Sequence, residues 1–260
     1  IKGLVIRAAQ AIEAFDYRAN SKKLVDKYGL FTTSTSESFT RNYTLTSTNT
    51  AEYKFSIGEK HNIVLLAGHE SIINKYEGFG ASSSGMTDNR VNNVDQGTKF
   101  EKPSYTFSEN AYNSYFARIN YDFNDKYFFE ATYRKDGSSL FGKNKRYADF
   151  YSIGANWNAK RESFLEDVEW LNKLNVRVSY GTTGNSGISE YLANGLIGSG
   201  AQYNGKETWG LSQVENPDLT WETVESTNIG INARLFDFVD VEVELYNKNT
   251  KDMLMEIPYS

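Results

Sequence analysis

Glu242 and Glu244 are carboxylates two residues apart, the spacing that puts both on one face of a strand, where a pair of acids could divide general acid and base work. No partner that would build a catalytic pocket accompanies them in the sequence, so a hydrated wall accounts for them better. A second cluster, "TDNRVNNVDQG" (87–97), offers oxygen ligands for a hard cation, with Asp88, Asn92 and Asp95 as calcium candidates and Asn89 and Asn93 beside them. It lacks the full spacing of a calcium loop, and a plain polar loop is the simpler reading. "SYGTTGNSGIS" (179–189) has hydroxyls but no histidine nearby, which makes it a strand end running into a loop rather than a nucleophile site. "DGSSLFG" (136–142) reads as a tight turn and loop, since no helix follows to cradle a phosphate. His61 and His69, eight apart, fit no compact ligand motif and are read as structural. The expectation is therefore no catalytic residue, no bound metal and no cofactor.

The elements that carry these residues are strands. In "FARINYDFNDKYFFEATYRKDG" (116–137), Ala117, Ile119, Tyr121 and Phe123 alternate with Arg118, Asn120 and Asp122. Tyr127, Phe129, Ala131 and Tyr133 then alternate with Glu130, Thr132 and Arg134. The pattern recurs at Tyr53, Phe55 and Ile57 with Ile63, Leu65 and Ala67, and at Ile229, Ile231, Ala233 and Leu235 with Val239, Val241, Val243 and Leu245. Asn232 and Glu242 fall on the opposite face of that last pair. Further strands are expected at 147–158 and 174–180, about nine in all.

The connections at 58–62, 124–126 and 236–238 are all odd in length, which keeps the apolar faces of the paired strands coincident. Long links at about 16–37, 78–110 and 183–219 alternate with these short ones. Short turns at one end and long loops at the other, with one apolar and one charged face, predict an all-β, antiparallel up-and-down transmembrane β-barrel segment with periplasmic turns and extracellular loops. On this reading Tyr121, Phe129, Ala131, Ile231 and Val243 face lipid, while Arg118, Glu130, Arg134, Asn232 and Glu242 face the lumen. One link breaks the pattern. "ESFLEDVEWLNKL" (162–174) opens with Ser163 and Glu166 at capping-box spacing and places Phe164, Leu165, Val168 and Leu171 at helical intervals, predicting a short helix.

Composition bounds the alternatives. The net charge of −5 argues against nucleic acid, which leaves a basic footprint. Zero cysteines exclude a disulfide scaffold and a cysteine zinc site. A mean hydropathy of −0.57 excludes a transmembrane helix, yet a barrel strand crosses in about ten residues with only alternate ones apolar.

"SYFARINYDFNDKYFFEATYRKDGSSLFGKNKRYADFYSIGANW", "LNKLNVRVSYGTTGNSG", "ENPDLTWETVESTNIGINARLF" and "VELYNKNTKDMLMEIP", in this order, resemble consecutive segments of SusC/RagA-like TonB-dependent transporters, nutrient importers of Bacteroidota outer membranes. The resemblance runs from about Phe39 to Ile257 and implies a barrel of about 22 strands closed by a plug. It makes residues 1–260 part of that barrel domain, with the plug, the TonB box and the remaining strands outside the chain and an export signal elsewhere. It implies a SusD-like surface lipoprotein as partner, TonB acting through the plug, and an oligosaccharide or peptide substrate. Tyr203 and Trp209, in the outward link 183–219, are candidate stacking platforms for that substrate. A soluble β-sandwich carbohydrate-binding module is the alternative, and an outer-membrane barrel enzyme a third class.

Overall fold

The computed structural model describes residues 2–24, 33–86, 88–90 and 92–255. Among them are twelve strands: β1 (Leu4–Lys23), β2 (Ser34–Ile57), β3 (His61–Ser84), β4 (Lys99–Phe100), β5 (Ser104–Phe123), β6 (Tyr127–Ser138), β7 (Tyr147–Asn158), β8 (Leu171–Asn185), β9 (Leu196–Tyr203), β10 (Lys206–Gln213), β11 (Glu222–Leu235) and β12 (Val239–Lys251). Nine of them run as a meander in the order β1-β2-β3-β5-β6-β7-β8-β11-β12, β4 pairs with β3, and β9 and β10 form a separate ribbon. The expected antiparallel up-and-down arrangement of about nine strands is what the chain adopts.

Register agrees with the parity of the turns. Ile119 faces Ala131, Tyr121 faces Phe129 and Phe123 faces Tyr127 across the β5–β6 turn. Ile231 faces Val243 and Leu235 faces Val239 across the β11–β12 turn. Asn124 and Asp125, and likewise Phe236 and Asp237, take positive φ there, the backbone that lets a three-residue connection close. The first turn is Gly58–Lys60, shorter than the expected 58–62 but still odd, because His61 and Asn62 already belong to β3.

Two compact units divide the chain. Residues 1–9, 47–71 and 112–260 form one; residues 10–46 and 72–111 form the other. In the first, one face of the sheet is a row of Ala117, Ile119, Ala131, Ile153, Val178, Ile231 and Val243, with Ile119, Ile153, Val178, Ile231 and Val243 all exposed and no second layer over them among the described residues. Aromatic rings end these columns: Tyr133 faces Tyr151 at one end, and Tyr127 faces Trp157 at the other. The second unit carries cross-strand ion pairs at 2.8 Å, Arg18–Glu37, Arg41–Asp16 and Lys75–Glu109.

Three expectations are corrected. Residues 162–174 form no helix. After a 3-10 turn at Ala159–Arg161 the chain makes single turns, and the Lys160 ammonium donates to the carbonyls of Leu165 (2.9 Å), Glu166 (3.0 Å) and Val168 (2.9 Å). The carbonyls of Leu165 and Val168 also accept from the amides of Val168 (3.1 Å) and Leu171 (3.2 Å), three residues on rather than four, so the segment closes as single turns instead of an α-helix. The long links are also shorter than expected, since β1 reaches Lys23, β2 starts at Ser34, β3 reaches Ser84 and β5 starts at Ser104. Residues 25–32 of the first link lie outside the described residues. The third link, 183–219, is not all loop: it contains the β9–β10 ribbon, closed by the hairpin turn Asn204–Gly205 (φ 50 and 74).

Candidate functional site

The polar face of the first unit gathers the predicted charged residues by register. Arg118 stands opposite Thr132, Asn120 opposite Glu130 and Phe116 opposite Arg134, while Asn232 stands opposite Glu242. Asn120 donates to Glu130 at 3.0 Å. Arg134 spans three strands. Its Nη2 donates to Glu70 at 3.1 Å, its Nε to Asp136 at 2.6 Å, and its guanidinium lies 5.3 Å from the centre of the Phe116 ring. Thr48 donates to the other oxygen of Glu70. Phe116 can lie flat there because Gly68 has no side chain; a Cβ on Gly68 would overlap the ring.

A second network centres on Arg177, which donates to Asn232, to Glu242 at 2.8 Å and to Glu244. Gly230 leaves room for that guanidinium. The paired carboxylates of the sequence reading are thus counter-ions of one arginine. Long charged side chains need water at their flanks, so both networks suit a wetted wall rather than a dry core.

The loop "DGSSLFG" turns inward. Phe141, 1% exposed, packs against Trp221 at a tilt of 36° with ring centroids 4.6 Å apart, and Phe150 meets Trp221 edge-on at 5.7 Å. Gly142 N donates to Leu219 O at 2.9 Å, Asn144 N to Pro217 O at 3.1 Å, and the Trp221 indole to Arg146 O at 3.1 Å. The motifs "DGSSLFG" and "ENPDLTW" therefore form one hub. Asn216 N reaches Ala193 O at 3.0 Å, and the Gln213 amide donates to the carbonyls of Tyr191, Leu192 and Asn194, so the hub adjoins the base of the ribbon.

On the ribbon Tyr203 is 80% and Trp209 71% exposed. A register shift separates Thr208 from Trp209; Tyr203 pairs with Lys206, whereas Trp209 pairs with Ser199 and Leu211 with Ile197. Alternation then gives Trp209, Leu211 and Ile197 one face and Tyr203 the other. The two platforms are not brought together.

At the calcium candidates, Asn92 Oδ1 accepts a hydrogen bond from Lys22 Nζ at 2.5 Å, and Lys22 also donates to Asn89 O. An ammonium therefore stands where the ligand oxygens would meet a cation. Asp88 is engaged by Arg90 at 2.6 Å, and that guanidinium holds its carboxyl below the usual aspartate value. Asp95 lies in the 3-10 turn Val94–Gln96. Glu162 is another collector of donors: Tyr127 donates at 2.6 Å, Trp157 at 3.2 Å and Lys126 at 3.3 Å, and these bonds, Tyr127's foremost, lower its pKa. His61 bonds Tyr121 at 2.8 Å and His69 bonds Asn113 at 2.6 Å.

A family model described as TonB dependent receptor-like, beta-barrel matches residues 4–260. TonB-dependent receptor P26 of Formosa agariphila is 34% identical over 218 residues, covering 80% of this chain and 22% of that protein. TonB-dependent receptor SusC of Bacteroides thetaiotaomicron is 32% identical over 169 residues, covering 60% of this chain and 16% of that protein. The structure of the RagAB peptide transporter superposes with a TM-score of 0.94 at 35% identity, covering 100% of this chain and 30% of that one. The chain spans about a fifth of the length of the first two Formosa relatives it matches (22% of each).

Proposed function

As the chain belongs to the TonB dependent receptor-like β-barrel family, we propose that it is part of the wall of an outer-membrane nutrient importer in a Gram-negative bacterium. The observation that carries this reading is the two-faced sheet. One face exposes Ile119, Ile153, Val178, Ile231 and Val243, and the other carries the Arg134–Glu70 and Arg177–Glu242 pairs. An arginine at a bilayer midplane costs about 2–4 kcal/mol, so the first face meets lipid and the second the lumen. Strands of 20 to 24 residues, β2, β3 and β5, exceed the 9–11 or so that cross a bilayer.

Transport itself is a property of the whole parent, with a plug through which TonB acts and a surface lipoprotein as lid. A peptide is the substrate favoured by the similarity to RagAB. An oligosaccharide is the second reading, favoured by the exposed rings of Tyr203 and Trp209. The test replaces residues 196–213 of the parent with a short Gly-Ser link and measures growth on peptides and on oligosaccharides as sole nutrient, together with co-purification of the lipoprotein. Loss of one nutrient with an undiminished folded barrel supports the reading and selects the substrate. Uptake and complex formation that both persist would remove the ribbon from the site.

A further inference from the structure

The apolar face of the first unit dips where four neighbouring strands each contribute an alanine: Ala51 on β2, Ala67 on β3, Ala117 on β5 and Ala131 on β6. Register sets Ala117 beside Tyr133 and Ala131 beside Ile119, so taller side chains flank the small ones. The result is an open apolar groove of about 420 Å³.

A polar belt caps the groove at the end away from the tight turns. Lys135 lies two residues beyond Tyr133 on the same face, with Tyr115 and Asp149 as its register partners. Its ammonium stands 3.8 Å from Asp149, beyond hydrogen-bond reach, and has no acceptor within that reach among the described residues. Asp149 instead accepts from the Tyr133 hydroxyl at 2.5 Å. On the other side, His69 meets Asn113 Oδ1 at 2.6 Å and the Asn113 amide donates to the Tyr147 hydroxyl at 3.4 Å. The Tyr147 ring crosses Gly137, where a Cβ would overlap it, and its centre is 6.0 Å from Lys135 Nζ. Tyr115, Tyr133 and Tyr147 are each about half exposed.

We propose that the belt and the groove together seat one glycolipid of the outer leaflet, with its phosphorylated amino-sugar headgroup at Lys135, a sugar ring against Tyr115 and Tyr147, and one acyl chain along the alanines. An ammonium at the rim of hydrocarbon is costly without an anion, and a phosphate oxygen supplies the acceptor that Asp149 does not. Flat rings with polar tips suit a sugar. An acyl chain gains nothing from leaving water here, since it comes from hydrocarbon; it gains close packing, which the alanine floor permits. The tight turns being periplasmic, the belt lies in the outer leaflet. A second copy docked by the same patch would bring two identical cationic rims together. The inference rests on the membrane-wall reading above.

The test uses the full-length parent in neutral detergent, mixed with phosphorylated lipid A, with its dephosphorylated form or with phosphatidylglycerol, and counts bound lipid by native mass spectrometry. The expected result is one lipid A per barrel, retained several-fold better than phosphatidylglycerol. Lys135→Ala should lose several-fold in retention of the phosphorylated lipid and nothing for the dephosphorylated one. Ala131→Phe fills the groove and should weaken both several-fold; folding is checked by heat-modifiable migration, and Ala117→Leu replaces it if the barrel does not form. Equal retention of lipid A and phosphatidylglycerol, or of lipid A by the parent and Lys135→Ala, overturns the site. A disulfide-linked dimer through Ala131→Cys that excludes lipid A assigns the groove to a second copy and also overturns it. Labelling of Ile231→Cys by a charged maleimide in membranes overturns the wall reading itself; if that cysteine is protected while lipid A shows no preference, only the glycolipid site falls.

Discussion

Phe141 and Trp221 lie eighty residues apart in sequence and 4.6 Å apart in space, joining two loops on the polar side of the first unit. Phe141 is closed off almost completely, and its ring has no room to be replaced by solvent without a cavity. Phe141→Ala is expected to destabilise the hub by about 3–5 kcal/mol, and Phe141→Leu by less. Limited proteolysis of the parent should then cleave between 186 and 221 in the alanine variant while the strands persist. Unchanged protection would show that the ribbon is held elsewhere.

Gly68 lies beneath the ring of Phe116, and a methyl group there would force the ring off the sheet. Gly68→Ala is expected to cost about 1–3 kcal/mol by overpacking. Adding Phe116→Leu should recover part of that loss, since the two changes act at one contact. Strictly additive melting shifts in the double variant would contradict the packing argument.

Glu162 outside the sheet carries a pH dependence. Its pKa is lowered from the ordinary 4.5 by the bonds from Tyr127, Trp157 and Lys126. A lowered carboxylate pKa means the stabilisation is complete above the unfolded value of 4.5 and fades as pH falls through the folded one. Melting of the parent in detergent from pH 7 to pH 3 should lose this contribution below about pH 4.5, and Glu162→Gln should flatten that part of the curve. Identical pH profiles for the two proteins would refute it.

Cysteines introduced singly in the parent at Tyr121, Phe129, Ala131, Ile231 and Val243 should react with a lipid-soluble maleimide and resist a charged one. Those at Arg118, Glu130, Arg134, Asn232 and Glu242 should behave oppositely. The reverse pattern would put charged residues in hydrocarbon, at about 2–4 kcal/mol each near the midplane, and would exclude the wall reading.

Much of the sheet was legible from the residues alone because strand alternation is local. Ile119 and Arg118 point apart whatever their partners are, and an odd turn such as Asn124–Lys126 preserves that choice across the hairpin. The order of segments such as "ENPDLTWETVESTNIGINARLF" likewise carried the family without any coordinates. The β9–β10 ribbon was within reach too, through Asn204–Gly205.

Tertiary structure alone decided the partners. Arg177 meets Glu242 across 65 positions and Arg134 meets Glu70 across 64, separations at which nothing local selects one carboxylate over another. Lys22 takes up the oxygens of a candidate calcium loop 67 and 70 residues on, and Lys160 gathers the carbonyls of Leu165, Glu166 and Val168. A long side chain bonds whatever acceptor the strand register delivers within its reach, and register is a property of the assembled sheet, not of any one segment.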